Sequence, residues 1–184
     1  EFSCTFEEKK SKFIAYLIPY EMFDIVMKKV KLEHPKARHY VYAYRYLNEF
    51  DQIVENSSDD GEPKGTSGKP SLAVMAGAEI INSAVIIVRY FGGIKLGTGG
   101  LVRAYGDSVN EVIKIAEFKE YQKLITKTLV CDYAELSQLE YLLNQENINI
   151  KSKDFSTQVN VLIELSSEQF EVLETKLLRN ILVL

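Results

Sequence analysis

The chain of 184 residues has no tryptophan, two cysteines, two histidines and four prolines. Two thiols as far apart in sequence as Cys4 and Cys131 supply neither a disulfide framework nor a zinc knuckle, so free thiols are expected. His34 and His39 are the whole histidine complement, which leaves little material for a histidine metal centre or a hydrolytic triad. Long apolar segments are also missing. The run AVIIV at 84–88 falls far short of the roughly 20 residues a spanning helix needs. No charged-then-apolar leader opens the sequence, and the expected compartment is the cytoplasm, without membrane partners. An overall positive charge is absent too: 22 basic side chains face 26 acidic ones, a formal net charge of −4, whereas a general polyanion binder is usually basic.

What is present describes a globular protein. Apolar residues make up 46% of the chain and charged residues 26%, and the length suits one large domain or two small ones. Charge is unevenly distributed. Between residues 64 and 103, Lys64, Lys69, Arg89, Lys95 and Arg103 face only Glu79. Glycine is uneven as well, with six of ten at Gly92, Gly93, Gly97, Gly99, Gly100 and Gly106.

Periodicity predicts the elements. SKFIAYLI (11–18) reads as a strand stopped by Pro19, and EMFDIVMKKVKLEH (21–34) as a helix burying Phe23, Val26, Met27 and Val30. HYVYAYRY (39–46) alternates at period two, with Tyr40, Tyr42, Tyr44 and Tyr46 on one face and His39, Val41, Ala43 and Arg45 on the other. A polar stretch follows, with a short strand at QIVE and a loop in SSDDGEPKGTSG. KPSLAVMAGAEI (69–80) predicts a short apolar helix. NSAVIIVRYF (82–91) predicts a central strand covered on both faces. Beyond the glycine loop, Thr98 is the expected cap of a helix whose stripe is Leu101, Val102, Tyr105, Val109, Val112, Ile113 and Ala116. The remainder reads strand (122–132), helix (135–146), strand (148–154), strand (157–165), helix (167–179) and strand (181–184), the βαββαβ plan of ferredoxin-like domains. The fold class is therefore α+β, in two domains, 1–120 and 121–184.

The short nucleotide-binding patterns fail on single residues. GTSGKP would need Gly at 63 and Ser or Thr at 70 to be a phosphate-cradling P-loop, but both positions are proline. Gly97 and Gly99 would need a glycine at 102 for the dinucleotide pattern, and that residue is Val102. No cofactor is expected. Glycines before a helix still allow backbone N–H groups to approach an anion, with Lys95 and Arg103 as counter-charge; equally, they serve positive φ and close packing. Asp59, Asp60 and Glu62 match no EF-hand spacing, and a turn or cap is the preferred reading over a metal site. His34 is expected as a surface cap, His39 and Cys131 as structural residues, and the tyrosine row as a core face rather than a base-stacking platform.

Three segments, ARHYVYAYRY, SDDGEPKGTSGKP and VRYFGGIKLGTGGLVRAYGDSV, resemble the Impact family in its bacterial YigZ-type branch. They occupy residues 37–108, and the second half resembles the family's smaller C-terminal domain. The polar NEFDQIVENS departs from the pattern in a variable segment. The resemblance implies a first domain similar to the second domain of ribosomal protein S five and a ferredoxin-like domain similar to one in elongation factor G. Eukaryotic relatives regulate translation by binding an activator of a starvation-response kinase. For a bacterial-type chain the resemblance implies a nucleic-acid or ribosome-associated role, and it carries no catalytic residue over to this sequence.

The expected function is thus a noncatalytic module that contacts RNA or a ribosome-linked partner through Lys69, Arg89, Lys95, Arg103 and the loop Gly92, Gly93, Gly97, Gly99 and Gly100. Asp59, Asp60, Glu62, Gly65 and Thr66 are expected to line the same site. The alternatives are a protein-interaction module docking a translation or stress-response factor, and an enzyme acting on a small phosphorylated ligand between the two loops.

Overall fold

Five strands with alternating or continuous apolar character build the first sheet in the computed structural model, which describes residues 1–184. They are β1 (Phe2–Glu8), β2 (Ser11–Pro19), β3 (His39–Leu47), β4 (Ile53–Ser58) and β5 (Ser83–Tyr90). All pair antiparallel in the order β1-β2-β5-β3-β4. The unbroken β-branched run places β5 in the middle, buried from Ala84 to Arg89, because a strand covered on both faces has no use for a polar side. This sheet belongs to a compact unit of residues Glu1–Lys119; Glu120–Leu184 form a second.

Helices cover both faces of the sheet. α2 (Gly68–Gly77) and α3 (Gly97–Lys114) enclose a core of Phe13, Ala15, Val41, Ala43, Met75, Val85, Ile87, Tyr105 and Val109 among others. α1 (Phe23–Glu33) follows a 3-10 turn at Tyr20–Met22 and packs Val26 and Val30 against Tyr16, Ile18, Ala84, Ile86 and Val88. Burying one such aliphatic side chain contributes roughly 1.5–3 kcal/mol. The tyrosine row lies on the α1 face, half-buried: Phe23 meets Tyr42 and Tyr44 edge-on at 5.1 and 5.5 Å, and Tyr20 stacks on Tyr46 at 4.0 Å. It is a packed face. On the opposite side, Arg45 is buried beside Glu55 (2.7 Å) and donates to the carbonyl of Ile80 at 2.8 Å.

The structure departs from two expectations. β1 was not anticipated, because its hairpin turn uses Lys9 and Lys10 at φ 45° and 65° instead of the usual glycine or asparagine. Thr98 is not the cap of α3: the helix already starts at Gly97, Leu96 is its N-cap residue, and no side chain caps it.

In the second unit, β6 (Leu124–Cys131), α4 (Leu136–Gln145), β7 (Asn149–Phe155), β8 (Val159–Ser166), α5 (Ser167–Lys176) and β9 (Leu182–Val183) follow the expected order. The sheet runs β7-β8-β6-β9, antiparallel throughout, the arrangement of a ferredoxin-like fold. Leu129, Val161, Ile163, Leu165, Leu139, Leu143 and Leu173 fill its core. A reciprocal capping box between Ser166 and Gln169 fixes the start of α5. No helix of the chain is long and apolar enough to cross a membrane.

Candidate functional site

The acidic turn is built by its own carboxylates. Asp59 accepts hydrogen bonds from the N–H groups of Gly65 (2.7 Å), Ser67 (3.1 Å) and Gly68 (2.9 Å), and from the Ser67 hydroxyl (2.7 Å). Burial pushes its carboxyl up, but these four donors outweigh burial and leave the group below its ordinary value. Asp59 thus caps α2 from outside the helix. Asp60 accepts from the Tyr40 N–H at 2.6 Å, while its carbonyl meets His39 Nδ1 at 2.8 Å. Since a carbonyl only accepts, His39 carries its proton on Nδ1. Thr66 donates to the Pro63 carbonyl at 2.7 Å, and Gly65 supplies φ 77°. Replacing Asp59 with alanine is expected to destabilise the first unit by about 2 kcal/mol, the upper range for a lost cap. Because the folded carboxyl titrates low, its contribution is complete above the unfolded value near 3.9 and is lost as pH falls through the lowered one. Urea titrations at pH 7 and pH 3 check both parts, and equal destabilisation at the two pH values contradicts the assignment.

Glu62 sits apart from these two. It is buried, and its Oε1 accepts from Arg89 Nη1 at 2.5 Å and from the Tyr105 hydroxyl at 2.8 Å. Burial first, then the charge and hydrogen bond of Glu62, raise the Tyr105 hydroxyl far above its ordinary value, so it stays a donor. Arg89 also lies 5.6 Å from the Phe13 ring centre and 5.8 Å from that of Phe91.

Antiparallel pairing sets His39 opposite Arg89, which brings the segment entering β3 beside the segment leaving β5. Between them opens a cleft of about 610 Å³ lined by Lys36, Arg38, His39, Glu62, Pro63, Arg89, Tyr90, Phe91, Lys95, Leu96, Gly97, Thr98 and Leu101. Lys36, Arg38 and Lys95 are exposed and form no ion pair. Lysines of the second unit do pair: Lys151 with Glu164 at 2.9 Å, Lys176 with Glu146 at 2.7 Å, and Lys153 with Glu140. Glu62 is the single carboxylate lining the cleft, and Arg89 offsets its charge. The uncapped start of α3 opens onto the same space through Gly97 and Thr98, so its free N–H groups and dipole add positive potential.

Of the residues expected at the site, Arg89, Lys95, Gly97 and Glu62 line this cleft. Lys69 stands exposed on α2 outside it. Arg103 borders a separate depression with Glu8, Lys9, Gly100 and Asp107. Arg89 is internally paired rather than presented as a free cation. Gly92 serves close packing against Lys10, and Gly93 supplies φ 86°. Gly99 lies in the first turn of α3 and meets nothing near its absent side chain. Asp59, Asp60, Gly65 and Thr66 shape the turn and do not line the cleft. Lys36, Arg38 and His39 were missed, although Arg38 and His39 stand inside the quoted ARHY segment.

His34 is also more than a surface cap. Its Nε2 meets the Tyr16 hydroxyl at 2.8 Å and its Nδ1 the Tyr90 hydroxyl at 3.1 Å, tying the end of α1 to two strands. Burial raises both thiols, Cys4 and Cys131, above the ordinary range, and neither is in a disulfide. No cluster of histidine, cysteine and carboxylate side chains is arranged to hold a metal ion.

The Impact N-terminal domain model matches residues 9–113, and a domain of unknown function (DUF1949) matches residues 129–179. The chain belongs to the Impact family. An IMPACT family member of Haemophilus influenzae is 37% identical over 177 residues, covering 94% of this chain and 86% of its own length. The Escherichia coli IMPACT family member YigZ is 37% identical over 174 residues, covering 93% and 85%. Rat Protein IMPACT is 35% identical over 96 residues, 49% of this chain and 30% of that protein. A solved structure titled as that of a hypothetical protein superposes with a TM-score of 0.69 at 35% identity, covering all of this chain and 92% of the other. The Impact-type match spans the cleft and everything that shapes it.

Proposed function

We propose that this Impact family member is a noncatalytic module that contacts RNA through the cleft between β3 and β5, in a translation-related setting. One observation carries the reading: Lys36, Arg38 and Lys95 converge, unpaired, on a concavity that also receives an uncapped helix start. Unpaired cations around helix N–H donors recognise phosphate. Overall acidity does not oppose this, since residues 121–184 carry 9 acidic against 6 basic side chains, most of the acidic excess, while the cleft holds one offset carboxylate.

The test is RNA binding across a salt series. Single-stranded RNA is expected to bind with a steep salt dependence, and the variant Lys36→Ala/Arg38→Ala/Lys95→Ala to bind about tenfold or more weakly, with a log–log slope shallower by about 2. Lys69→Ala/Arg103→Ala, outside the cleft, is expected to leave both unchanged. A cleft variant that keeps the full slope and affinity refutes the reading. The protein-docking alternative draws on Phe91 and Ile94, 58% and 45% exposed on the glycine loop. It predicts a translation-factor partner retained after nuclease treatment and lost on Phe91→Ser/Ile94→Ser.

A further inference from the structure

The cleft holds more than positive charge, and its chemistry is divided by depth. At the rim stand Lys36, Arg38, Lys95 and the first turn of α3. At the floor, Glu62 directs Oε1 to Arg89 and Tyr105, while Oε2 has no protein partner. Arg89 is likewise underused. Its side chain is 8% exposed, a single guanidinium N–H finds a protein acceptor, and Nε is buried without any partner. Buried polar groups are nearly always satisfied, so an unpaired one calls for an explanation, and a ligand that completes the site is one. The third feature is an apolar wall of Pro63, Phe91, Leu96 and Leu101, with Phe91 58% exposed.

Resting on the RNA-contact reading, we propose that this cleft is a subsite for one ribonucleotide unit bearing a terminal phosphate, either a free nucleoside 5′-monophosphate or the end of an RNA strand. Each part of the cleft selects one part of that ligand. The phosphate lies on the α3 N–H groups and the rim cations. A sugar hydroxyl donates to Glu62 Oε2, which repels a bare oxyanion and accepts a donor. The base lies against Phe91, because aromatic faces stack bases without regard to sequence. A volume of about 610 Å³ falls within the small-ligand range and holds one such unit rather than a duplex. No bond is made or broken: the cleft offers recognition only.

Titration calorimetry and thermal shift on the full chain, with the four nucleoside 5′-monophosphates, test this. At least one is expected to bind and raise the melting temperature. Inorganic phosphate, the matching nucleoside and the 2′,3′-dideoxy monophosphate are each expected to bind about tenfold or more weakly, the size of one charge-assisted hydrogen bond or more. Lys95→Ala and Arg38→Ala, on exposed side chains, should weaken the monophosphate without altering the melting temperature of the free protein. Phe91→Ala should weaken it while sparing ribose 5-phosphate. In the strand arm, a 5′-phosphorylated RNA oligomer should bind about tenfold tighter than the same oligomer lacking that phosphate. Equal binding of inorganic phosphate and monophosphate overturns the subsite, as does no binding by any monophosphate. If RNA binding then still depends on Lys36, Arg38 and Lys95, the broader interface stands alone; if that dependence is missing too, both readings fall.

Discussion

Glu62→Ala is expected to destabilise the first unit by about 3–5 kcal/mol, a large share of the stability of any domain this size. The substitution removes the acceptor shared by Arg89 and Tyr105, leaving a guanidinium that is 8% exposed without its counter-charge and a buried hydroxyl without a partner. The penalty comes from the stranded partners more than from the lost attraction. Removing both charges together is therefore far less damaging, because neither then has to be desolvated alone. Glu62→Leu/Arg89→Met is expected to recover most of the loss, and Glu62→Gln to fall between the single and double changes. Urea denaturation of the unchanged protein, Glu62→Leu, Arg89→Met and Glu62→Leu/Arg89→Met forms a double-mutant cycle. Additive effects would mean that Glu62 and Arg89 are not coupled and would remove the buried pair as the floor of the cleft.

Gly92→Ala comes second, at about 3 kcal/mol or more. A methyl group on Gly92 would lie 1.9 Å from the Lys10 carbonyl carbon, 2.0 Å from its oxygen and 2.3 Å from the Ser11 nitrogen. All three atoms are backbone, so no rotamer change relieves the clash. The Gly92 N–H also donates to the buried Ser11 hydroxyl at 3.2 Å, which locks the glycine loop onto the β1–β2 turn. Alanine must force the two apart and shift the loop that carries Lys95. Loss of RNA affinity is expected to accompany loss of stability. Gly99→Ala is the control, since a methyl there meets nothing within 4 Å and the residue is helical. It is expected to stabilise by about 0.5–1 kcal/mol, the ordinary helix preference of alanine over glycine. Thermal melts separate the two, and a tolerated Gly92→Ala would show that the loop is not anchored there.

Most of the fold was legible in the sequence because burial imposes periodicity. The apolar run of β5, the alternation of β3 and the helical stripe of α3 each state a geometry directly. β1 escaped because its turn residues, Lys9 and Lys10, carry no turn signature. The site was less legible for a different reason. Grouping cations by closeness in sequence joined Lys69, Arg89, Lys95 and Arg103, yet helix α2 carries Lys69 outside the cleft and α3 turns Arg103 toward Glu8 and Asp107. Lys36 and Arg38 reach the cleft only through strand pairing, which no local pattern announces. Glu62 lay among the turn acids, and its separate role appears only when Arg89 and Tyr105 arrive from distant segments.

The pairing of His39 with Arg89 has a consequence of its own. One ladder sets two things at once: the tyrosines lie on α1, and the basic lead-in to β3 stands across from the glycine loop. A one-residue slip of β3 along β5 would throw both out of frame together, turning Tyr42 and Tyr44 into the space shaped for Val41 and Ala43 while carrying Arg38 away from Lys95. Added length is therefore expected to be borne best past Leu47, in the bend before β4, which lies outside the β3–β5 ladder.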